Sequence, residues 1–161
     1  MIPKKIRPYF RTIRQTMDGD NSLIEGLVTC CNASDFEIFA VGEIKNSFPS
    51  KMFLLPKSDR SVVEARCKIC GKVISVFDNS CDGYERCGLG TTTPVSTIPI
   101  NCRKCQERGF SVHIRYEYPD IQELEDLNIS EIDNAFTWIW IALECNKCGA
   151  SYKNFIDYET T

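Results

Sequence analysis

Two Cys-x-x-Cys pairs constrain this chain more than anything else in it. Cys102-Arg103-Lys104-Cys105 and Cys145-Asn146-Lys147-Cys148-Gly149 stand thirty-nine residues apart. Each pair sets two sulfurs close together on a tight turn. Two such turns brought together offer four soft ligands in a tetrahedron, the shell that Zn²⁺ prefers. One pair alone is a weak signal; two pairs, each beside a strand-like run, are a strong one. A fold that uses them must carry two distant turns to the same place.

The chain has 161 residues and ten cysteines, and that many thiols need a chemical reason. The longest apolar run, Trp138 to Leu143, is far too short for a membrane span. Met1-Ile2-Pro3-Lys4-Lys5 lacks the apolar core of a secretory signal. The expectation is a cytoplasmic protein with no membrane partner, where thiols stay reduced and paired cysteines hold metal rather than disulfides. A thioredoxin-like site needs its pair at the start of a helix, whereas these pairs run into β-like segments. The net charge is −3. Two tetrathiolate zinc centres would take it to roughly −7, the opposite sign to generic nucleic-acid binding.

In chain order, residues 1–20 read as a basic amphipathic helix. Lys4, Lys5, Arg7, Arg11 and Arg14 precede the first acid, while Ile6, Phe10, Ile13 and Met17 recur at helical spacing. Asp18-Gly19-Asp20-Asn21 supplies a stop. Residues 21–77 read as a β-rich half, with runs at Leu27 to Thr29, Phe36 to Val41, Met52 to Leu55, Ser61 to Arg66 and Lys72 to Phe77. Residues 78–98 look like a connector, rich in Gly, Thr and Pro near its end. Residues 99–161 form the second half. Phe110, Val112, Ile114, Tyr116 and Tyr118 share one face of a strand; Ser111, His113, Arg115 and Glu117 share the other. Pro119-Asp120 can start a short helix to Leu127. The run Phe136 to Leu143 is apolar on both sides, as for a strand between two layers or one that offers a face to a partner.

The halves resemble each other. Cys31 and Cys105 are each followed five residues later by Phe36 or Phe110 and a strand. Cys70-Gly71 and Cys148-Gly149 each lead to a phenylalanine, Phe77 or Phe155, seven residues beyond the cysteine. Shared order and offsets point to an internal repeat. These residues resemble the zinc-ribbon group, whose members set two Cys-x-x-Cys-Gly knuckles at one end of a small antiparallel sheet. The resemblance covers Cys102 to Phe155 well and Cys30 to Phe77 less well. It implies a mostly β, small α+β protein of tandem zinc-ribbon-like antiparallel sheets behind the N-terminal helix. It also implies Cys102, Cys105, Cys145 and Cys148 as ligands.

The first half departs from the pattern: Val28 stands where Cys102 stands in the second, and Cys30 adjoins Cys31. Both can reach one ion only across a sharp backbone bend. The adopted set is Cys30, Cys31, Cys67 and Cys70. Two alternatives stay open: Cys81 or Cys87 supplies the fourth ligand, or the site holds no metal and its cysteines pack as small hydrophobes. One structural Zn²⁺ is expected, and two are possible.

Catalysis has little to stand on. Four cysteines close a metal's shell, whereas catalytic zinc keeps a position open. His113, the one histidine, lies on a polar strand face with no catalytic motif around it. Gly88-x-Gly90 lacks the helix a phosphate cradle needs. Acids from Glu117 to Asp133 make an ordinary solvated face or a contact for something basic. The expectation is therefore a non-enzymatic protein-interaction module, an adaptor or inhibitor, with a basic protein as a candidate partner. The alternative is nucleic-acid binding through the basic N-terminal helix.

Overall fold

The longest alternation in the chain, Phe110 to Tyr118, becomes the strand about which the sheet is arranged. The structure, a computed structural model, describes residues 1–47, 51–86 and 93–160. Its strands in chain order are β1 (Phe10–Asp18), β2 (Asn21–Val28), β3 (Phe36–Val41), β4 (Glu43–Ser47), β5 (Lys51–Leu55), β6 (Val62–Cys67), β7 (Val73–Asp78), β8 (Ile98–Pro99), β9 (Phe110–Tyr118), β10 (Trp138–Cys145) and β11 (Ser151–Glu159). One short helix, α1 (Ile121–Asp126), follows β9. The protein is thus mostly β. β4 and β5 form a separate hairpin, and the other nine strands share one sheet.

β9 has β2 along one edge and β10 along the other, both antiparallel; β1 lies beyond β2, and β11 beyond β10. At its first residue β9 also meets β3, with Phe110 opposite Phe36. From that junction β3, β6 and β7 run side by side, as β9, β10 and β11 do. The two three-stranded units are interleaved. β2 leads towards Cys30 yet pairs with β9, and β8 leads towards Cys102 yet pairs with β3. Each unit is therefore hydrogen-bonded to the strand that delivers the other's first cysteine turn.

The alternation of β9 turns its five apolar residues into the core, all of them buried. Ile139, Ile141 and Leu143 of β10 join them with Phe136. The Tyr116 ring packs 5.0 Å from Phe136 and 6.0 Å from Phe10, tilted against both as aromatic quadrupoles prefer. Burying side chains of this size stabilises by about 1.5–3 kcal/mol each. The hydroxyl of buried Tyr118 donates to the Asp133 carbonyl at 2.8 Å, which spares the cost of an orphaned donor.

The expected N-terminal helix is replaced by a 3-10 turn at Arg7–Tyr9 and the strand β1. The apolar spacing fits a helix, but the four residues share no face. Ile6 is fully buried, whereas Ile13 and Met17 are 60% and 64% exposed. The free edge of β2 offers a ladder from Phe10 opposite Val28 to Asp18 opposite Asn21. Thr12, Ile13 and Thr16 are β-branched and suit that ladder. Asp18 to Asn21, read as a helix stop, closes a two-residue hairpin with Gly19 at a φ of +61°. The basic residues disperse accordingly: Lys5 pairs with buried Asp82, and Arg7 with Asp133.

α1 begins as its sequence suggests, with Asp120 accepting from the Gln122 N–H at 3.0 Å. It buries Leu124 and leaves Ile121 and Leu127 exposed. Among the described residues no helix is long and apolar enough to cross a membrane. The first part of the connector is tied down. Arg60 donates to both carboxylate oxygens of Asp78, at 3.1 and 2.8 Å. The Tyr84 N–H donates to the Phe136 carbonyl at 2.9 Å, and that of Glu85 to the Thr160 carbonyl at 3.1 Å.

Gly83 enables this closure. Its φ is +97°, and any Cβ would fall inside the Thr160 side chain. Gly83→Ala is expected to destabilise the protein by about 1–3 kcal/mol. The check is a lower urea midpoint with an unchanged denaturant slope; an unaltered midpoint contradicts this account of the loop.

Candidate metal centre

Both cysteine groups are built from turns closed by backbone hydrogen bonds. At the second, the Cys145 N–H donates to the Ala150 carbonyl at 2.8 Å and the Gly149 N–H to the Cys145 carbonyl at 2.9 Å. At the first, the Cys67 N–H donates to Lys72 at 2.9 Å and the Gly71 N–H to Cys67 at 2.8 Å. Gly71 and Gly149 have φ of +75° and +71°, which explains glycine after each pair. Strand register brings in the partners. Cys67 lies opposite Phe36 and Cys145 opposite Phe110, so each turn reaches the level where the chain enters β3 or β9.

The structure brings the thiols of Cys102, Cys105, Cys145 and Cys148 together, and likewise those of Cys30, Cys31, Cys67 and Cys70; within each group the sulfurs lie within 4.8 Å of one another. The Sγ separations include 3.6 Å for Cys102–Cys148, 3.5 Å for Cys105–Cys145, 3.6 Å for Cys30–Cys70 and 3.8 Å for Cys30–Cys31. A disulfide needs about 2.05 Å. An ion bonded to four sulfurs at about 2.3 Å sets the tetrahedron's edges at about 3.8 Å. The spacing fits the ion, and each group can hold one.

The bend that adjacent ligands require is present. Cys31 and Asn32 have φ of +55° and +58°, and Cys30 and Ala33 exchange N–H to carbonyl bonds of 2.9 and 3.0 Å around them. Cys81 stands apart from both groups, its Sγ 3.7 Å from the Asp78 carbonyl and from Asp82 Oδ1. Cys87 lies outside the described residues. His113 belongs to neither group and shares the polar face of β9 with Ser111 and Arg115.

Two supporting residues escape the sequence pattern. The buried Tyr152 hydroxyl accepts from the Arg103 N–H at 2.9 Å and lies 3.3 Å from Cys102 Sγ. Ile74, the corresponding residue four places past Cys70, has no hydroxyl to offer. Asn146, between the cysteines of its pair, crosses to the other half. Its Nδ2 donates to the Ser34 carbonyl at 3.1 Å and to Asp35 Oδ1 at 2.9 Å, and Ser111 donates to its Oδ1 at 2.8 Å. Within each half a matching backbone bond ties the two turns, from the Lys68 N–H to the Asp35 carbonyl at 3.1 Å and from the Asn146 N–H to the Gly109 carbonyl at 3.0 Å. Nothing in a Cys-Asn-Lys-Cys string signals this cross-link.

The thiols of each group are electrostatically unequal. Burial pushes Cys102 up, but the Tyr152 hydroxyl and the N–H groups of Cys105 and Lys104 outweigh it and bring the thiol down to about 6. For Cys105 the Glu107 N–H favours the thiolate, yet burial and the neighbouring thiols of Cys145, Cys148 and Cys102 drive it up to about 12. In the first group the Lys72 N–H, then the Cys31 and Cys30 thiols, bring Cys70 down to about 7. Burial, then the Cys70 and Cys67 thiols, push Cys30 up to about 12. Each group thus sets a thiol shifted towards the thiolate beside one shifted away from it, whose proton a bound cation would displace to solvent. Exposure separates the groups: Cys31 and Cys70 are exposed in the first, whereas the second has none exposed.

No protein-family model matches the chain, and no match is found among curated proteins or solved structures.

Metal uptake must expel the protons of Cys30 and Cys105, so apparent affinity falls as pH falls and loading acidifies an unbuffered solution. A competing chelator is expected to empty the exposed first group before the second. Tyr152→Phe should weaken the second by about tenfold and leave the first unchanged. Chelator competition followed by metal release measures all three. Release in the reverse order, or pH-independent affinity, contradicts this reading.

Proposed function

We propose that this protein is a non-enzymatic interaction module in which two structural Zn²⁺ ions lock a tandem zinc-ribbon-like sheet. Soft thiolates in tetrahedral array favour zinc over harder cations, and four cysteines leave no coordination position for a substrate. The observation that carries the reading is the placement of two four-cysteine groups at the junction of interleaved strands. Structural zinc contributes on the order of 10–16 kcal/mol in small cysteine-rich domains, against about 5–15 kcal/mol for the net stability of a whole domain. The matching turns, registers and glycines of the two halves support a duplicated unit.

The interaction surfaces lie away from the metal. One is the outward face of β9 and β10, where Trp138 and Trp140 stack at 5.3 Å and remain half-exposed. The other is the acidic excursion, with exposed Ile121 and Leu127. Protein partners suit this mixture of aromatic, charged and apolar groups. Nucleic-acid binding has weaker support, because Lys5 and Arg7 are engaged by acids and no basic helix gathers the rest.

Purified protein is expected to carry close to two zinc ions per chain, and exhaustive chelation should abolish its cooperative thermal transition. Replacing both tryptophans with serine should preserve metal content and midpoint while abolishing partner capture. A transition unmoved by verified metal loss contradicts the structural role. Capture that survives loss of both tryptophans contradicts the surface assignment.

A further inference from the structure

The two sulfur groups share a plan but not a setting. In the first, Cys31 and Cys70 are exposed, whereas no cysteine of the second is. The Lys72 N–H donates to the Cys70 sulfur. The Lys72 side chain is exposed, its ammonium donates to the Tyr9 hydroxyl at 3.1 Å, and its charge acts on Cys30 and Cys70. The second group has Ala150 at the matching place, two residues past its last cysteine. Lys147, inside that later pair, is held by Glu107 at 2.7 Å. Access and nearby positive charge are what make a cysteine sulfur reactive towards oxidants. The first group has both, and the second lacks the access.

Geometry also selects the bond that oxidation would form. The sulfurs of Cys30 and Cys70 lie 3.6 Å apart and come from different turns. Cys31 lies 3.8 Å from Cys30, but the two are neighbours in sequence. Their Cα atoms are therefore about 3.8 Å apart across a trans peptide, short of the roughly 4.4 Å that a relaxed disulfide needs. Cys67 is buried and offers an incoming oxidant no approach.

We propose that the first group is a site of reversible oxidation by hydroperoxides, in which Cys70 is attacked and Cys30 closes a disulfide with it. The inference rests on the reading of the cysteine groups as structural zinc sites. With hydrogen peroxide as oxidant, the Cys70 thiolate attacks one peroxide oxygen; an S–O bond forms, the O–O bond breaks, and the departing hydroxide takes a proton to become water. The Cys30 thiolate then attacks the Cys70 sulfur of that sulfenic acid. The S–S bond forms, the S–O bond breaks, and a second hydroxide is protonated to water. Two sulfurs have lost one electron each, and the peroxide has gained two. Two of four ligands are gone, so the zinc ion leaves. The disulfide holds the two turns together in its place, and the second group keeps its ion. Reduction by a dithiol followed by zinc restores the first group.

The test is hydrogen peroxide treatment of the zinc-loaded chain, with released zinc followed by a chromogenic chelator and disulfides mapped by mass spectrometry after alkylation. One ion per chain should leave at least about tenfold faster than the other, because access governs the attack. The map should show Cys30 joined to Cys70, with Cys102, Cys105, Cys145 and Cys148 still protected from alkylation by their ion. Dithiothreitol and zinc should reverse both changes. Lys72→Ala, which touches no ligand, should keep full zinc content and slow the release at least about threefold, with Lys72→Arg close to wild type. Simultaneous loss of both ions, earlier loss from the second group, a different disulfide or none in the first, or a wild-type rate in Lys72→Ala would overturn the proposal. Zinc content before treatment decides the metal reading separately. A chain purified without zinc would refute that reading, and the disulfide map of the metal-free chain would still decide whether Cys30 and Cys70 are the oxidised pair.

Discussion

Everything else in the structure depends on how two cysteine turns are delivered to each end of a shared junction. Sulfur–ion bonding is short-ranged and geometrically exacting, so it requires strands whose register is fixed. The pairing of Phe36 with Phe110 sets that register once for both halves. Cys67 and Cys145 then fall opposite those same phenylalanines. The exchange of β2 and β8 between halves makes either metal group a constraint on the other's strands, and Asn146 adds a side-chain tie across the junction. Loss of one group is consequently felt by both halves.

The two groups are not equivalent despite their common plan. The second has a buried tyrosine hydroxyl at Cys102 and no fully exposed sulfur. The first has two adjacent ligands reached through consecutive left-handed residues, and two exposed thiols. Backbone strain at a non-glycine residue and easy access for a competing ligand both favour exchange. An ion held by the first group would therefore exchange more readily than one held by the second.

Much of this was legible in the residues. Strict alternation from Phe110 to Tyr118 marked both the strand and its inward face, because a period of two has no other structural meaning over nine residues. The double Cys-x-x-Cys spacing marked the second sulfur group because two short turns leave few alternatives; the first, with adjacent Cys30 and Cys31, was marked by its likeness to the second. The N-terminal segment was not legible. Ile6, Phe10, Ile13 and Met17 fit a helix, and only the edge offered by β2, itself set by β9, decides against one. Tyr152 and Asn146 were invisible for the same cause, since their roles depend on residues tens of positions away.

The central claim is that each group closes four sulfurs around one zinc ion. X-ray absorption at the zinc edge of the purified protein tests it most directly. The account predicts a single shell of four sulfurs at about 2.3 Å. A shell with nitrogen or oxygen ligands, or fewer than four sulfurs per ion, would contradict it.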